Sequence, residues 1–248
     1  MLPEVVQYFL FIGMVAFMFL LRLDAQRFSA AEWDTQDGDW RVWFSRISWY
    51  AAGVGLALII FALYRAPVSD LNLQLGADRA QGMVYGLLFG GAGIAAAFIL
   101  AILRNGHISF PAPARYPGGV LTAVGTAFYD EWLFRGVLLG LLLTLGLPDW
   151  LSVVSAAFIY AFTVRAGTGS RGIFVLGMWL AIGLVGGVLV VTTLGIAASF
   201  VGHAITRFAL FMVMGPPMRA AVEQVHQPRG GSGDGGAYVI RPHDPRRG

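Results

Sequence analysis

Tyr129-Asp130-Glu131-Trp132-Leu133-Phe134-Arg135-Gly136 is the most informative segment of this chain. It places two carboxylates and an arginine inside an apolar run that extends from about Gly118 to Leu147. A charged side chain at the centre of a membrane helix costs about 2.5–3.5 kcal/mol on insertion scales, so three of them cost about 8–10 kcal/mol if they stay unpaired. Ionisable residues inside a span indicate a functional site, and these three require partners elsewhere in the chain.

The composition indicates a polytopic membrane protein. Of the 248 residues, 57% are hydrophobic and only 12% are charged, and the mean hydropathy is +0.68. These values lie outside the range of soluble globular domains. The absence of cysteine excludes disulfides, thiolate zinc sites and cysteine nucleophiles. All 17 basic residues are arginines, which excludes lysine catalysis, and they are dispersed without a recognition motif, so nucleic-acid binding is not predicted.

Seven apolar runs are candidates for membrane helices, each of which needs about 20 residues to cross the hydrocarbon core. They cover residues of about 5–23, 46–64, 80–103, 118–146, 150–165, 172–193 and 195–214. The fourth run is too long for one straight crossing of roughly 30 Å, so we expect a kink or tilt near Arg135-Gly136. The predicted fold class is an all-α polytopic bundle of about seven transmembrane helices, with eight as the alternative.

The arginines in the connections predict the orientation by the positive-inside rule. One side has loop 24–45, which is flanked by or contains four arginines, loops 104–117 and 165–171 with two each, and the tail from Arg219 onward. The opposite side has only Arg65 and Arg79. We therefore expect the amino terminus outside and the carboxyl terminus in the cytoplasm, in a membrane that we take to be a bacterial cytoplasmic membrane. The four arginines of the first loop are Arg22, Arg27, Arg41 and Arg46.

Small residues at four-residue spacing predict close approach between helices. Three such pairs lie within the apolar runs: Gly86-xxx-Gly90, Gly136-xxx-Gly140 and Gly183-xxx-Gly187.

Two pairs of polar residues have the spacing of one helix face. Glu131 and Arg135 are four residues apart and can pair directly, whereas Asp130 points about 100° away. His203 and Arg207 repeat the spacing in the last apolar run. At 1.5 Å per residue, Glu131 and His203 lie at similar depths of roughly 10 and 12 Å, so carboxylate and imidazole can meet. Arg207 then needs an anion, for which Asp130 is the surplus acid, unless it extends to the interface instead.

The Asp130-Glu131-xxx-Arg135-Gly136 box resembles the Glu-Glu-xxx-Arg box of the CPBP family, which includes the CAAX prenyl proteases and bacteriocin-processing relatives. The block from Ser69 to Gly76 before a glycine-rich span is similar to the family as well. So is the run from Val175 through Thr192-Thr193-Leu194-Gly195 to His203. The resemblance covers about 65–214. It divides the chain into two amino-terminal helices with an interfacial loop (1–64), a CPBP-like membrane core (65–218) and a disordered cytoplasmic tail (219–248). Trp33, Trp40 and Trp43 are the expected aromatic anchors of the loop.

The resemblance implies an intramembrane endopeptidase that hydrolyses a peptide bond with a glutamate-activated water. Glu131 would be the general base, with Asp130 and Arg135 completing the first box. His203 would orient the water or polarise the scissile carbonyl, and Arg207 falls where the family has an oxyanion-stabilising asparagine. The middle box, Phe-xxx-His in the family, falls on Phe158 to Phe162, so that Phe162 takes the place of a histidine.

Metal dependence is the less favoured expectation, because zinc needs three or four convergent ligands and His203 is the only histidine within a span. No cofactor is therefore predicted, with a divalent metal such as zinc as the alternative. The expected partners are the lipid bilayer and a membrane-protein or peptide substrate.

The departures from the family pattern leave two further functions open. The first is a catalytically inactive member that serves as a membrane scaffold or partner-binding subunit. The second is a small transporter or proton pathway with the buried polar residues as relay groups, although no pair of symmetric broken helices supports it.

Overall fold

The computed structural model describes residues 4–28, 30, 40–63, 68–108, 110–168 and 173–214, and these residues contain helices but no strand. The α-helices are α1 (Glu4–Leu23), α2 (Trp40–Leu63), α3 (Arg79–Asn105), α4 (Tyr116–Asp130), α5 (Leu139–Thr144), α6 (Asp149–Thr168), α7 (Ile173–Thr193) and α8 (Ala197–Met214). A π-helical segment, Glu131–Leu138, joins α4 to α5 without a break. Short 3₁₀ turns lie at Ala25–Phe28, Val68–Leu71 and Pro113–Arg115.

Four of the described helices are long and apolar enough to cross a membrane. They are Val5–Leu23, Trp40–Leu63, Arg79–Leu103 and Val175–Thr193, and the apolar helix Ala197–Val213 is shorter. The protein is therefore an all-helical integral membrane protein by length and composition, while the count of seven or eight spans stays a prediction.

The second helix begins earlier than the sequence predicts. Residues 40–45 were assigned to a loop because of their charge, yet α2 starts at Trp40 and includes Arg41 and Arg46. Arg46 is buried, and its guanidinium lies 5.6 Å from the centre of the Trp43 ring. The contact joins Arg46, which the predicted run already contains, to Trp43 in the added turn of the helix. Trp33 and the predicted tail at 219–248 lie outside the described residues.

The long fourth run changes helix type where the sequence predicts an irregularity. The expectation was a kink or tilt near Arg135-Gly136; the structure has α-helix up to Asp130, π-helix from Glu131 to Leu138 and α-helix again from Leu139. Single π-helical turns within α-helices often accompany functional sites, because they shift the side-chain register locally. Here the π-helical segment begins at the box.

Glycines hold two pairs of helices in close contact, as the small-residue spacing predicts. On α3, a Cβ at Gly90 would lie 2.8 Å from Ile205 of α8. On α7, a Cβ at Gly187 would lie 2.9 Å from Val153 of α6. Side chains at these glycines would push the helices apart, so α8 is fixed against α3, and α7 against α6.

The third glycine pair serves a different contact, and the expectation of a helix partner for it was wrong. A Cβ at Gly140 would lie 2.6 Å from the Cα of Leu71, and a Cβ at Gly136 would overlap Leu73. The neighbour is therefore the chain segment before α3. This segment also contacts the turn between α7 and α8, where the Ile196 amide donates to the Gln74 carbonyl at 3.0 Å.

Candidate active site

Asp130 and Glu131 occupy the junction of α4 and the π-helical segment, and both side chains are fully buried. Consecutive residues on a helix point in different directions. In the structure the two carboxylates accordingly face different partners, as the sequence predicts.

Glu131 faces His203 of α8. The Oε1 atom of Glu131 lies 2.6 Å from the Nδ1 atom of His203, and both side chains are buried. The predicted meeting of carboxylate and imidazole is confirmed as a contact. Its catalytic role stays a prediction.

Asp130 faces two arginines. Arg207 of α8 donates from Nη2 to Oδ2 of Asp130 at 2.5 Å, which confirms the predicted pair. Arg22 of α1 donates from Nε to Oδ1 at 2.7 Å and from Nη2 to Oδ2 at 3.3 Å. Arg22 flanks the first loop, as predicted, but its side chain is fully buried beside Asp130, which the sequence did not indicate.

Arg135 forms a looser contact with Glu131 than its four-residue spacing suggests. Its Nη1 atom lies 3.5 Å from Oε1 of Glu131 and has no hydrogen-bond partner among the described residues. Its Nη2 atom donates to the Ile182 carbonyl of α7 at 3.2 Å. The guanidinium lies 4.1 Å from the centre of the Tyr160 ring, which is within cation–π distance.

The hydrogen bonds around His203 fix its tautomer. Arginine can only donate, so the 2.8 Å contact from Nε of Arg207 to Nε2 of His203 requires that Nε2 carries no proton. A neutral imidazole then carries its proton on Nδ1, which donates to Oε1 of Glu131. We therefore assign His203 as the neutral Nδ1-protonated tautomer and Glu131 as the accepting carboxylate.

These contacts form one connected series that we call the buried polar chain. It runs from Arg22 through Asp130, Arg207 and His203 to Glu131. Removing charges from water costs several kcal/mol per ion, so a buried pair is weak evidence for stability. The chain is better explained by the position in which it holds His203 and Glu131.

Tyr160, and not Phe162, is the α6 residue at the site. Phe162 is 52% exposed and stacks on Phe158, so its assignment to the place of a catalytic histidine was wrong. The Tyr160 hydroxyl lies 3.1 Å from Nε2 of His203 and accepts from Nη2 of Arg207 at 3.4 Å. Tyr160 and Phe162 are two residues apart, so their side chains on α6 point in directions that differ by about 200°. Tyr160 therefore lies on the buried face of the helix and Phe162 on the exposed face.

Three buried polar atoms beside Glu131 have no hydrogen-bond partner among the described residues. They are Oε2 of Glu131, Nη1 of Arg135 and Oγ of Ser199. The Ser199 hydroxyl lies close enough to the Glu131 carboxylate to interact with its charge, and both Ser199 and Arg135 pack against Gly186 of α7. Buried polar groups are nearly always satisfied, so three such atoms together indicate a place for a water molecule or a polar substrate group.

Sequence reasoning missed Arg22, Tyr160 and Ser199, although one of them left a signal. Ser199, His203 and Arg207 are spaced at four-residue intervals on α8 and therefore share a face. Arg22 continues the buried face of α1, four residues after the buried Met18, but the burial of that face is known only from the structure. Tyr160 left no such signal, because apolar residues surround it on every face of α6.

The donors present do not fit a catalytic divalent metal. No group of three His, Cys, Asp or Glu side chains in the described ranges could hold a metal ion. Glu131 and His203 bond to each other, and Asp130 bonds to two arginines. Two cationic guanidinium groups, those of Arg135 and Arg207, lie next to the remaining oxygens and would repel a cation.

One family matches the part of the chain that contains this site. Residues 111–209 match the family described as type II CAAX prenyl endopeptidase, Rce1-like. Neither the curated proteins nor the solved structures include a match to the chain. The matched residues include Asp130, Glu131, Arg135, His203 and Arg207, while α1, α2 and α3 lie outside them. Residues 111–209 thus match the Rce1-like domain of the CPBP family.

Proposed function

We propose that the protein is an intramembrane endopeptidase in which Glu131 activates a water molecule. The observation that carries this proposal is the state of the Glu131 carboxylate. One oxygen is held by the Nδ1 proton of His203, and the other is buried without a hydrogen-bond partner among the described residues. A general base needs an oriented carboxylate with one oxygen available to accept a proton, and Glu131 has this form.

The proposed reaction uses the unpartnered atoms beside Glu131. A water between Oε2 of Glu131 and Oγ of Ser199 gives a proton to the carboxylate while its oxygen attacks the carbonyl carbon of the substrate. The negative charge that develops on the carbonyl oxygen is stabilised by Nη1 of Arg135. Glu131 then returns the proton to the amide nitrogen as the carbon–nitrogen bond breaks, which yields a carboxylic acid and an amine.

This geometry assigns His203 and Arg207 roles that differ from those expected from the family. His203 engages Glu131 with one nitrogen and Arg207 with the other, so its role is to hold the carboxylate. Arg207 donates to both His203 and Asp130, so oxyanion stabilisation is assigned to Arg135 instead.

An apolar cavity of about 260 Å³ lies between α2, α4 and α8, and Tyr129 and Phe200 are among its lining residues. Asp130, Glu131 and His203 do not line it, so it supports an apolar substrate segment in the bundle and not a position for the scissile bond. Its lining is almost entirely apolar; the other residues are Tyr50, Val54, Val124, Gly125 and Phe128. The description of the matched family makes a prenylated peptide with a carboxyl-terminal CAAX sequence the first substrate to test.

The alternative is an inactive family member that binds another membrane protein. The observation that favours it is the saturation of Asp130, which takes three hydrogen bonds from two arginines and is fully buried. In that case the polar residues would serve packing alone, and the Glu131 contacts would have no chemical consequence.

The test replaces Glu131 with glutamine, which keeps the shape of the side chain and removes its basicity. The protein and its variant are purified in detergent and incubated with a farnesylated CAAX peptide. In parallel, new peptide termini are mapped in membranes of cells that express each form. We expect cleavage in the unmodified protein and a loss of about 10²–10⁴-fold in Glu131→Gln. Asp24→Asn, a change at an exposed acid paired with Arg27, is the matched control.

The outcomes separate the two functions. Cleavage that persists in Glu131→Gln contradicts the assignment of the base. If the unmodified protein yields no new termini and a partner co-purifies equally with both forms, the inactive scaffold is the correct function.

A further inference from the structure

We propose that Arg22 of α1, outside the Rce1-like segment, is a positioning residue that sets the tautomer of His203. For its effect on cleavage this inference rests on the proposed function. Its effect on His203 does not, because the tautomer is a property of the folded protein.

The first step is the contact of Arg22 with Asp130. Two donors of one guanidinium, Nε and Nη2, reach the two oxygens of one carboxylate at 2.7 and 3.3 Å. Such a two-point contact fixes the plane of the carboxylate as well as its position. Both side chains are fully buried, so water does not screen the contact.

The second step is the transfer of this orientation to α8. Oδ2 of Asp130 accepts from Nη2 of Arg207 at 2.5 Å, and this contact holds Nε of Arg207 against Nε2 of His203 at 2.8 Å. Because Arg207 can only donate and the Glu131 carboxylate can only accept, the two contacts together keep the proton of His203 on Nδ1. A rotation of the Asp130 carboxylate would therefore shift Arg207, then His203, and so alter the contact with Glu131.

The third step concerns the contacts that hold α1 in place near Arg22. The Tyr129 hydroxyl donates to the Met18 carbonyl at 2.6 Å, and Nε1 of Trp49 donates to the Leu21 carbonyl at 2.9 Å. The ring of Phe19 packs edge-on against Phe134 with centroids 5.2 Å apart. The Tyr129 and Phe134 contacts hold the backbone of α1 near Arg22 against the helix that contains the box, and the Trp49 contact holds it against α2.

A purely structural role does not explain the arrangement as well. Replacing a buried ion pair by apolar residues of similar volume is often neutral or stabilising, so stability alone does not require Arg22. Positioning does require it, since Asp130 held by Arg207 alone could rotate and present a different oxygen. The two roles differ in what they predict for His203.

The test compares Arg22→Met with Arg22→Lys, using Arg27→Met as the matched control at an exposed arginine paired with Asp24. The nitrogen NMR spectrum of isotope-labelled histidine is recorded for each protein, and His203→Gln identifies the His203 signals among the four histidines. We expect one protonated and one bare nitrogen for His203 in the unmodified protein. In Arg22→Met we expect a mixture of tautomers, and in Arg22→Lys a partial return to the single tautomer.

Kinetics with the farnesylated peptide give the second readout. We expect kcat to fall about 10²-fold in Arg22→Met with KM close to that of the unmodified protein, because misplacement of a catalytic group affects the chemical step. Arg22→Lys restores part of the rate. Arg27→Met leaves both constants unchanged.

If Arg22→Met does not fold, the double variant Arg22→Met with Asp130→Asn removes both charges, while the amide oxygen of the new side chain can still accept from Arg207. It is expected to fold and to show the same mixture of tautomers. An unchanged single His203 tautomer in Arg22→Met or in the double variant overturns the inference. A failure of the proposed function gives a different result. In that case Glu131→Gln still cleaves the peptide, while Arg22→Met still shows the mixture of His203 tautomers.

Discussion

Asp130 and Glu131 are neighbours in sequence and equally buried, but their surroundings are opposite. Asp130 accepts three hydrogen bonds from two arginines and uses both of its oxygens. Glu131 has one oxygen engaged and one without a hydrogen-bond partner in the described part of the chain. A saturated carboxylate organises its neighbours, whereas an incompletely satisfied one can take a proton. Asp130 is therefore placed to organise the arginines, and under the proposed function the chemistry belongs to Glu131.

The largest expected loss of stability follows from removing the charge of Asp130. Asp130→Asn leaves Arg22 and Arg207 buried without their shared counter-ion, and loss of one partner of a buried ion pair costs about 3–5 kcal/mol. Denaturant unfolding in detergent measures the loss, with Glu131→Gln as the matched acid-to-amide change. Glu131→Gln also removes a counter-ion, because Nη1 of Arg135 lies 3.5 Å from Oε1 of Glu131, but only one arginine is affected and at a longer distance. We therefore expect a smaller loss than in Asp130→Asn, and an equal loss in both variants would remove the distinction between the two acids.

A smaller effect is expected on the Glu131 side from Gly186→Ala. A Cβ at Gly186 would lie 2.5 Å from Oγ of Ser199 and 3.2 Å from Nε of Arg135, so it would enter the space beside Glu131. Overpacking of this kind costs about 1–3 kcal/mol. The same variant should lose cleavage, as measured with the farnesylated peptide.

Gly177→Ala on the same helix is the control, because a Cβ there meets nothing within 4 Å. Unimpaired cleavage in Gly186→Ala would show that no reacting group uses this space.

The smallest loss of stability is expected at Tyr160, which contacts both His203 and Arg207. Tyr160→Phe removes the hydroxyl that lies between Nε2 of His203 and Nη2 of Arg207 and keeps the ring beneath Arg135. One hydrogen bond is worth about 0.5–1.5 kcal/mol, and unfolding experiments should show a loss in this range.

Phe162→Leu, at the exposed residue two positions along, should leave both stability and cleavage nearly unchanged. If Phe162→Leu had the larger effect, the assignment of Tyr160 as the α6 member of the site would be wrong.

Most of the helices could be predicted because an apolar run of about 20 residues has few other solutions in a membrane. The predicted start of α2 was wrong because the apolar run begins at about residue 46, whereas the helix also includes residues 40–45, in which Arg41 interrupts the apolar and aromatic residues. The contacts Glu131–His203 and Asp130–Arg207 could be predicted because charges within a span must meet partners at equal depth.

The contribution of Arg22 could not be predicted in the same way. A basic residue at the end of an apolar run looks identical whether it faces the cytoplasm or a buried acid, and only the rotation of α1 about its axis decides between them. The same limit applies to Tyr160, since its place depends on the side of α6 that faces the bundle.

The location of Arg22 has a consequence for the exchange of parts between relatives. The family match begins at residue 111, but the ion pair that begins the buried polar chain crosses that boundary. A chimera that joined residues 111–209 to other first helices would keep Asp130 and Arg207 and would need an arginine at the place of Arg22 to complete the chain. The structural unit of this site is therefore larger than the matched segment, and it includes α1.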